Sequence, residues 1–218
     1  MPGIVHKPGP CYVCGRKYTK GYMKRHVLSE HYNEPGDQRC SLMLISDEYS
    51  SYWVLIDMPV TSTLLDLDRF LREIWLECCG HTSAFMHYRE HDRIDKNKTL
   101  DEFSSGHIIQ YEYDPECPTR LFIAFVKKVY RPAQEEAVRV MGRNDPYRII
   151  CQLCRQREAT EVAISEGVHA YCCKKCAEEH AEEYSFLPIV NSPRTGICKY
   201  RGQGDRYGYK KAVNDRKP

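Results

Sequence analysis

The 218-residue chain has no run of about 18 apolar residues, so no segment is long enough to cross a bilayer as a helix. Its beginning lacks the basic-then-apolar profile of a secretory signal, which makes a cytoplasmic address the default expectation, with no membrane partner. Recognised catalytic signatures are missing too. There is no Walker loop, HExxH, GxSxG or dinucleotide glycine pattern. Nor does a His-x-Glu precede a Pro-Cys-x-x-Cys, as a zinc deaminase would need. No internal repeat is visible. These absences leave a zinc-bearing α+β protein whose activity is not written in any short motif.

What the chain has in abundance is cysteine, twelve in all, on an otherwise ordinary background of 42% hydrophobic and 28% charged residues. Six of them form three CxxC pairs: Cys11/Cys14, Cys151/Cys154 and Cys173/Cys176. Without a secretory signal, that pairing favours metal over disulfides.

The first unit is Cys11-x2-Cys14-x11-His26-x4-His31. Two thiolates on a turn and two imidazoles about one helical turn apart can close a tetrahedron around Zn²⁺. Tyr18, Met23, Val27 and Leu28 supply the small core. A unit this short cannot bury enough surface alone, so the ion would provide its folding energy. The unit resembles the zinc-finger family with two cysteine and two histidine ligands, with one residue fewer than usual between Cys14 and His26. The second unit, Cys151-x2-Cys154-x18-Cys173-x2-Cys176, has the spacing of a zinc ribbon or treble clef. Four thiolates make a closed, structural pattern with no open catalytic position. Cys172 is a one-residue alternative to Cys173, and His169 and His180 lie close by in sequence. Two zinc ions are expected.

Between the two units the pattern is that of one core. Residues 40–46 and 52–58 read as a strand hairpin. Leu64, Leu67, Leu71, Ile74, Trp75 and Cys78 recur at helical spacing, with Thr63 and Asp66 as a capping box, predicting a helix over 63–79. Strands are predicted at 82–88, 108–113 and 120–130. Pro132 is placed to open a further short helix ending near Met141, with Gly142 as its stop. A helix over 178–184 follows the last cysteine pair. The expected fold class is α+β, an antiparallel or mixed sheet packed on one main helix in a β-grasp-like arrangement, flanked by two small zinc modules. The expected divisions are a finger at 1–35, the central domain at 36–131, and a linker helix, four-cysteine module and C-terminal wrap at 132–218.

Formal net charge is only +2, but it is segregated. Residues 1–39 carry seven Lys/Arg against three Asp/Glu, and residues 201–218 six against two, whereas residues 40–130 carry nine against fifteen. Basic ends suit a nucleic-acid partner, DNA or RNA. Lys17, Lys20, Lys24 and Arg25 lie before or on the finger helix, where they could meet phosphates or guanine edges. One finger spans only about three base pairs, so a protein partner is the alternative and an adaptor the second reading. The third reading is an enzyme with a site near Cys79, His81 and Asp114, because Cys78, Cys79 and His81 cluster where the helix ends. His81 and His87 are expected on one strand face, and Asp57, Asp114 and Glu116 are candidate paired acids.

The run Leu65-Asp66-Leu67-Asp68-Arg69-Phe70-Leu71-Arg72-Glu73-Ile74-Trp75, followed by Cys78-Cys79-Gly80-His81 and Ser83-x-Phe85, resembles the plasmid pRiA4b ORF-3-like family. Tyr111-Glu112-Tyr113-Asp114 is similar to that family's element before its last strand. The resemblance spans about residues 40–130. In a subgroup it extends to the 187–196 segment, of which residues 191–196 are expected to dock over the four-cysteine unit or the sheet. It implies a compact α+β domain associated with plasmids and mobile elements, and no defined activity. Pro115-Glu116-Cys117-Pro118 departs from the family pattern, and the N-terminal finger is an addition to it.

Overall fold

A computed structural model describes residues 7–33, 35–165 and 168–202. Strands β1 (Gly9–Pro10) and β2 (Lys17–Tyr18) form a short antiparallel ladder ahead of helix α1 (Lys20–Glu30). Next come β3 (Gln38–Asp47), β4 (Trp53–Pro59) and helix α2 (Leu64–Leu71). Strands β5 (Ser83–His87), β6 (Arg93–Ile94), β7 (Ile108–Tyr113), β8 (Thr119–Arg131) and β9 (Arg139–Arg143) follow. The last portion holds β10 (Glu161–Ser165), β11 (Val168–Cys172), α3 (Lys174–Glu179) and β12 (Ser185–Pro188). The class is mixed α+β, with antiparallel sheets and few helices.

The main sheet has seven strands in the order β6-β5-β7-β8-β3-β4-β9, every neighbouring pair antiparallel. A bulge lies where β8 passes Leu42 and Met43 of β3. Helix α2 starts where its capping box says it should. The Thr63 hydroxyl accepts from the Asp66 N–H, and the Asp66 carboxylate accepts from the Thr63 N–H. The Thr63 N–H and hydroxyl, both donating to that carboxylate, hold the Asp66 pKa below its ordinary value. Leu64, Leu67, Phe70 and Leu71 pack on one face of the sheet with Met43, Ile45, Val54, Ile56 and Phe125. The chain then continues as a π-helical turn, Arg72–Leu76, rather than as α-helix to residue 79. Ile74, Trp75 and Leu76 are all buried there, and three consecutive residues cannot share one side of a regular α-turn.

The opposite face of β3 and β4 is equally dry. Cys40, Leu42, Trp53 and Leu55 are fully buried against Cys11, Met23 and Val27 of the finger and Met141 of β9. The finger is therefore a wall of the molecule's core. Its backbone joins the sheet at β9, where the Tyr12 N–H donates to the Met141 carbonyl and Cys11 bridges Gly142. Gly9 is required at this contact, because a Cβ there would lie inside the Arg143 carbonyl. Under this wall sits Asp57, fully buried. It accepts from Tyr32 Oη at 2.7 Å, Arg131 Nε at 2.7 Å and Arg139 Nε at 2.8 Å. The carboxylate thus ties β4, β8, β9 and the end of the finger together, and it is no part of a surface acid pair.

Two further sequence expectations are corrected. Residues 132–138 form no helix, and residues 139–143 are strand β9. The edge of β4 offers unpaired backbone groups, and alternation sends Met141 into the finger core and Val140 toward the α2 side. Long-range pairing outweighs the local helix-start signal of Pro132. Gly142 is a strand residue, placed where Pro10 and Met23 leave no room for a Cβ. The late helix runs over Lys174–Glu179, with Cys173 as its N-cap, and ends before the expected 180–184 stretch.

Replacing Asp57 with Ala leaves the Arg131 guanidinium buried without its counter-charge. The expected loss is about 3–5 kcal/mol of stability, read from urea midpoints at pH 7. A change below about 1 kcal/mol would show that the buried cluster does not hold the finger to the sheet.

Candidate metal centres

Three groups of cysteine and histidine side chains have ligand atoms within 4.8 Å of one another: Cys11, Cys14, His26 and His31; Cys151, Cys154, Cys173 and Cys176; and Cys78, Cys79, His81 and Cys198. Each can hold a metal ion, and the soft thiolate and imidazole donors are those that suit zinc.

In the first group the two cysteines sit on a tight turn, with the Gly15 N–H donating to the Cys11 carbonyl and Gly15 in the left-handed region. His26 lies on α1 and His31 is its C-cap residue. Five residues exceed one helical turn, and the non-helical conformation at His31 (φ −123°, ψ 8°) brings its ring back to the same side. Cys14 Sγ is 3.2 Å from His26 Nε2, which is 3.1 Å from His31 Nε2. Tyr18 stacks on the His26 ring at 4.3 Å. Burial lowers the His26 pKa from its ordinary value, favouring the neutral imidazole that a metal requires.

The second group hangs on a three-stranded sheet, β11-β10-β12, and on α3. Cys151 and Cys154 occupy a knuckle in which the Cys151 N–H donates to the Arg157 carbonyl and the Arg155 N–H to the Cys151 carbonyl. Cys173 precedes α3 and Cys176 lies in its first turn. Backbone N–H groups of Gln156 and Arg157 push the Cys154 thiol down to about 6, so a thiolate is favoured at neutral pH. Four thiolates and Zn²⁺ sum to two negative charges. Arg157 opposes that excess, its Nε 3.2 Å from Cys173 Sγ. Cys172 takes no part. Its buried thiol donates to the Ala170 carbonyl. His180 pairs with Glu183, and His169 lies against Gly196 and Tyr171.

The third group was only partly legible. Cys78, Cys79 and His81 follow the π-helical turn, but Cys198 arrives from 117 residues beyond His81. No local pattern announces that residue. The only hint is a cysteine two residues past the 191–196 segment that is expected to dock. His81 also precedes β5, so the expected face shared with His87 does not form. His81 turns toward Asp114, while His87 lies near His107. Asp114 is buried and paired with Arg194, whereas Glu116 is exposed.

The four basic residues proposed for nucleic acid fall into two kinds. Lys17 is ion-paired with Asp145 at 2.6 Å, and burial lowers the Lys20 pKa against the opposing pull of Asp47. Arg25 is exposed and lies 5.3 Å over the exposed Tyr22 ring, whereas Lys24 is half-buried. Among the described residues no helix is long and apolar enough to cross a membrane.

No family model matches the chain, and no curated protein does. Among solved structures, it is similar to a protein of unknown function, MM3350, from Methanosarcina mazei Go1. The identity is 16% and the TM-score 0.40, over 47% of this chain and 67% of that one.

The second group yields a direct expectation. Cys173→Ser should lose one bound ion per chain by native mass spectrometry, whereas Cys172→Ser should lose none. The reverse result would move the ligand by one residue.

Proposed function

We propose that the protein is a zinc-dependent nucleic-acid-binding protein that makes contact through the outer face of α1. The single observation that supports this most is the division of that helix. Met23 and Val27 face the sheet and His26 faces Cys14 and His31, while Tyr22 and Arg25 stand in solvent with the guanidinium over the ring. An aromatic face and a stacked arginine suit a base, and Lys24, the residue before Arg25 in sequence, adds a cation for a phosphate. The first turn of α1 carries no acidic residue, so its N–H groups and dipole favour an anion. Lys17 and Lys20 contribute less than their sequence positions suggest, because Asp145 neutralises the first and burial restrains the second.

A single finger supplies few contacts. Affinity in the nonspecific range, roughly 10⁻⁴–10⁻⁶ M at physiological salt, is the expectation. Residues 40–130 form, in the same reading, a divergent relative of the plasmid ORF-3-like proteins. That assignment, with its β-grasp-like packing on α2, is supported by the run through Trp75, the Cys-Cys-Gly-His turn and the Tyr-x-Tyr-Asp end of β7. The enzyme reading at Cys79, His81 and Asp114 is weaker, because thiol and imidazole sit in a four-residue ligand set.

Fluorescence anisotropy with duplex DNA, single-stranded DNA and RNA across a salt series tests the assignment. Binding should weaken steeply with salt. Lys24→Glu with Arg25→Glu should abolish it, and Arg25→Ala should lower the salt slope by about one. Binding unchanged in the double variant removes the finger from the interface. No binding at low salt would replace this reading with a protein-adaptor role for the same surface.

A further inference from the structure

We infer that Cys78, Cys79, His81 and Cys198 form a third zinc centre, a three-thiolate, one-imidazole site that clamps the C-terminal segment to the end of the α2 π-helical turn. It is independent of the nucleic-acid reading. The four ligand atoms converge closely enough to share one ion. With Zn–S near 2.3 Å and Zn–N near 2.0–2.1 Å, ligand atoms should stand about 3.5–3.8 Å apart. Cys78 Sγ is 3.7 Å from Cys79 Sγ. Cys198 Sγ is 3.3 Å from Cys79 Sγ and 3.2 Å from His81 Nε2, which is 2.9 Å from Cys79 Sγ. Three of the four fall below that range, as do the 3.2 Å between Cys14 and His26 and the 3.1 Å between His26 and His31 in the finger group, so both groups are drawn together in the same way.

The surroundings are those of a ligand set. His81 turns Nε2 toward the sulfurs and Nδ1 toward Asp114 Oδ1 at 3.4 Å, the carboxylate–imidazole arrangement that fixes a metal-binding tautomer. Arg72 Nη2 donates to the His81 carbonyl at 2.7 Å and holds the residue in place. Three thiolates on Zn²⁺ leave one negative charge, and the Arg194 guanidinium faces it, its Nη2 3.5 Å from Cys78 Sγ. Arg194 is fully buried and also pairs with Asp114 and donates to Thr119 Oγ1 and the Cys117 carbonyl.

Backbone conformation points the same way. Gly80 turns the Cys-Cys-Gly-His segment with φ +82°, and Cys198 and Lys199 hold φ +50° and +57° without being glycine. Non-glycine residues persist there when their surroundings fix them. The segment reaches this point over the core, with Ser192 Oγ donating to the Trp75 carbonyl at 2.7 Å. An ion at its far end would close a loop that links the four-cysteine module to the central domain. A Cys79–Cys198 disulfide is the rival explanation of the short sulfur contact, but it leaves the convergence of His81 and Cys78 unexplained.

The test uses the full-length chain, purified under reductant with added zinc. Elemental analysis should give three ions per chain for the wild type, matching the three ligand groups. Cys198→Ser and His81→Ala should each give two, while Cys117→Ser, an exposed cysteine outside the groups, should keep three. Alkylation of the zinc-loaded wild type, which does not depend on any variant folding, should spare Cys78, Cys79 and Cys198 until a chelator is added. Trypsin should then cut at Lys199 and Arg201 faster in Cys198→Ser than in the wild type. Two ions in the wild type with immediate alkylation of Cys198 overturns the assignment. So does a Cys79–Cys198 disulfide in protein kept reduced.

Discussion

Strands β3 and β4 have no face left for water, and the rest of the molecule depends on satisfying that constraint. One face takes α2 and its π-helical extension, and the other takes the finger, with Met23 and Val27 set against Leu42, Trp53 and Leu55. Burial of side chains this large contributes roughly 1.5–3 kcal/mol each, so removing either wall exposes more than a marginally stable domain can lose. The 21-residue unit from Cys11 to His31 has too little surface to fold alone, and the sheet's second face is incomplete without it. Each part supplies what the other lacks. A metal bound by Cys11, Cys14, His26 and His31 would then be a condition for the core as well as for the finger.

Buried charge fixes the register of these layers. Asp57 joins the finger to three strands, and the Arg194–Asp114 pair joins the C-terminal segment to the end of β7. In both, fully desolvated arginines are matched by carboxylates that also accept other hydrogen bonds, the condition under which a buried ion pair is tolerated. Asp68 belongs to the same pattern. Burial opposes its ionisation, yet hydrogen bonds from Ser83 and Tyr111 and the charges of Lys96 and Arg72 more than compensate and hold its pKa low. With the folded pKa depressed, its contribution is present above the ordinary carboxylate range and is lost as pH falls through the folded value.

Much of this was legible locally. The capping box at Thr63 and Asp66, the apolar stripe from Leu64 to Trp75 and the CxxC spacings are short-range patterns, and the side chains meet as those patterns imply. What was not legible depends on residues far apart in the chain. Asp57 and Arg131 are 74 residues apart, Lys17 and Asp145 are 128 apart, and His81 and Cys198 are 117 apart. Strand β9 was hidden for the same reason, since only the open edge of β4 makes residues 139–143 extended. A charged or sulfur-bearing side chain looks the same in sequence whether it faces water or a partner. Composition could therefore count the cysteines but not group the last of them.

The central claim is that a metal-held finger forms one wall of the sheet's core. Native-state hydrogen exchange on the wild-type protein, before and after complete chelation, tests it most directly. The amides of β4, from Val54 to Met58, should lose protection together with those of α1 once the metal is gone. Protection of β4 that stays unchanged in fully metal-free protein would contradict the account and reduce the finger to an appendage.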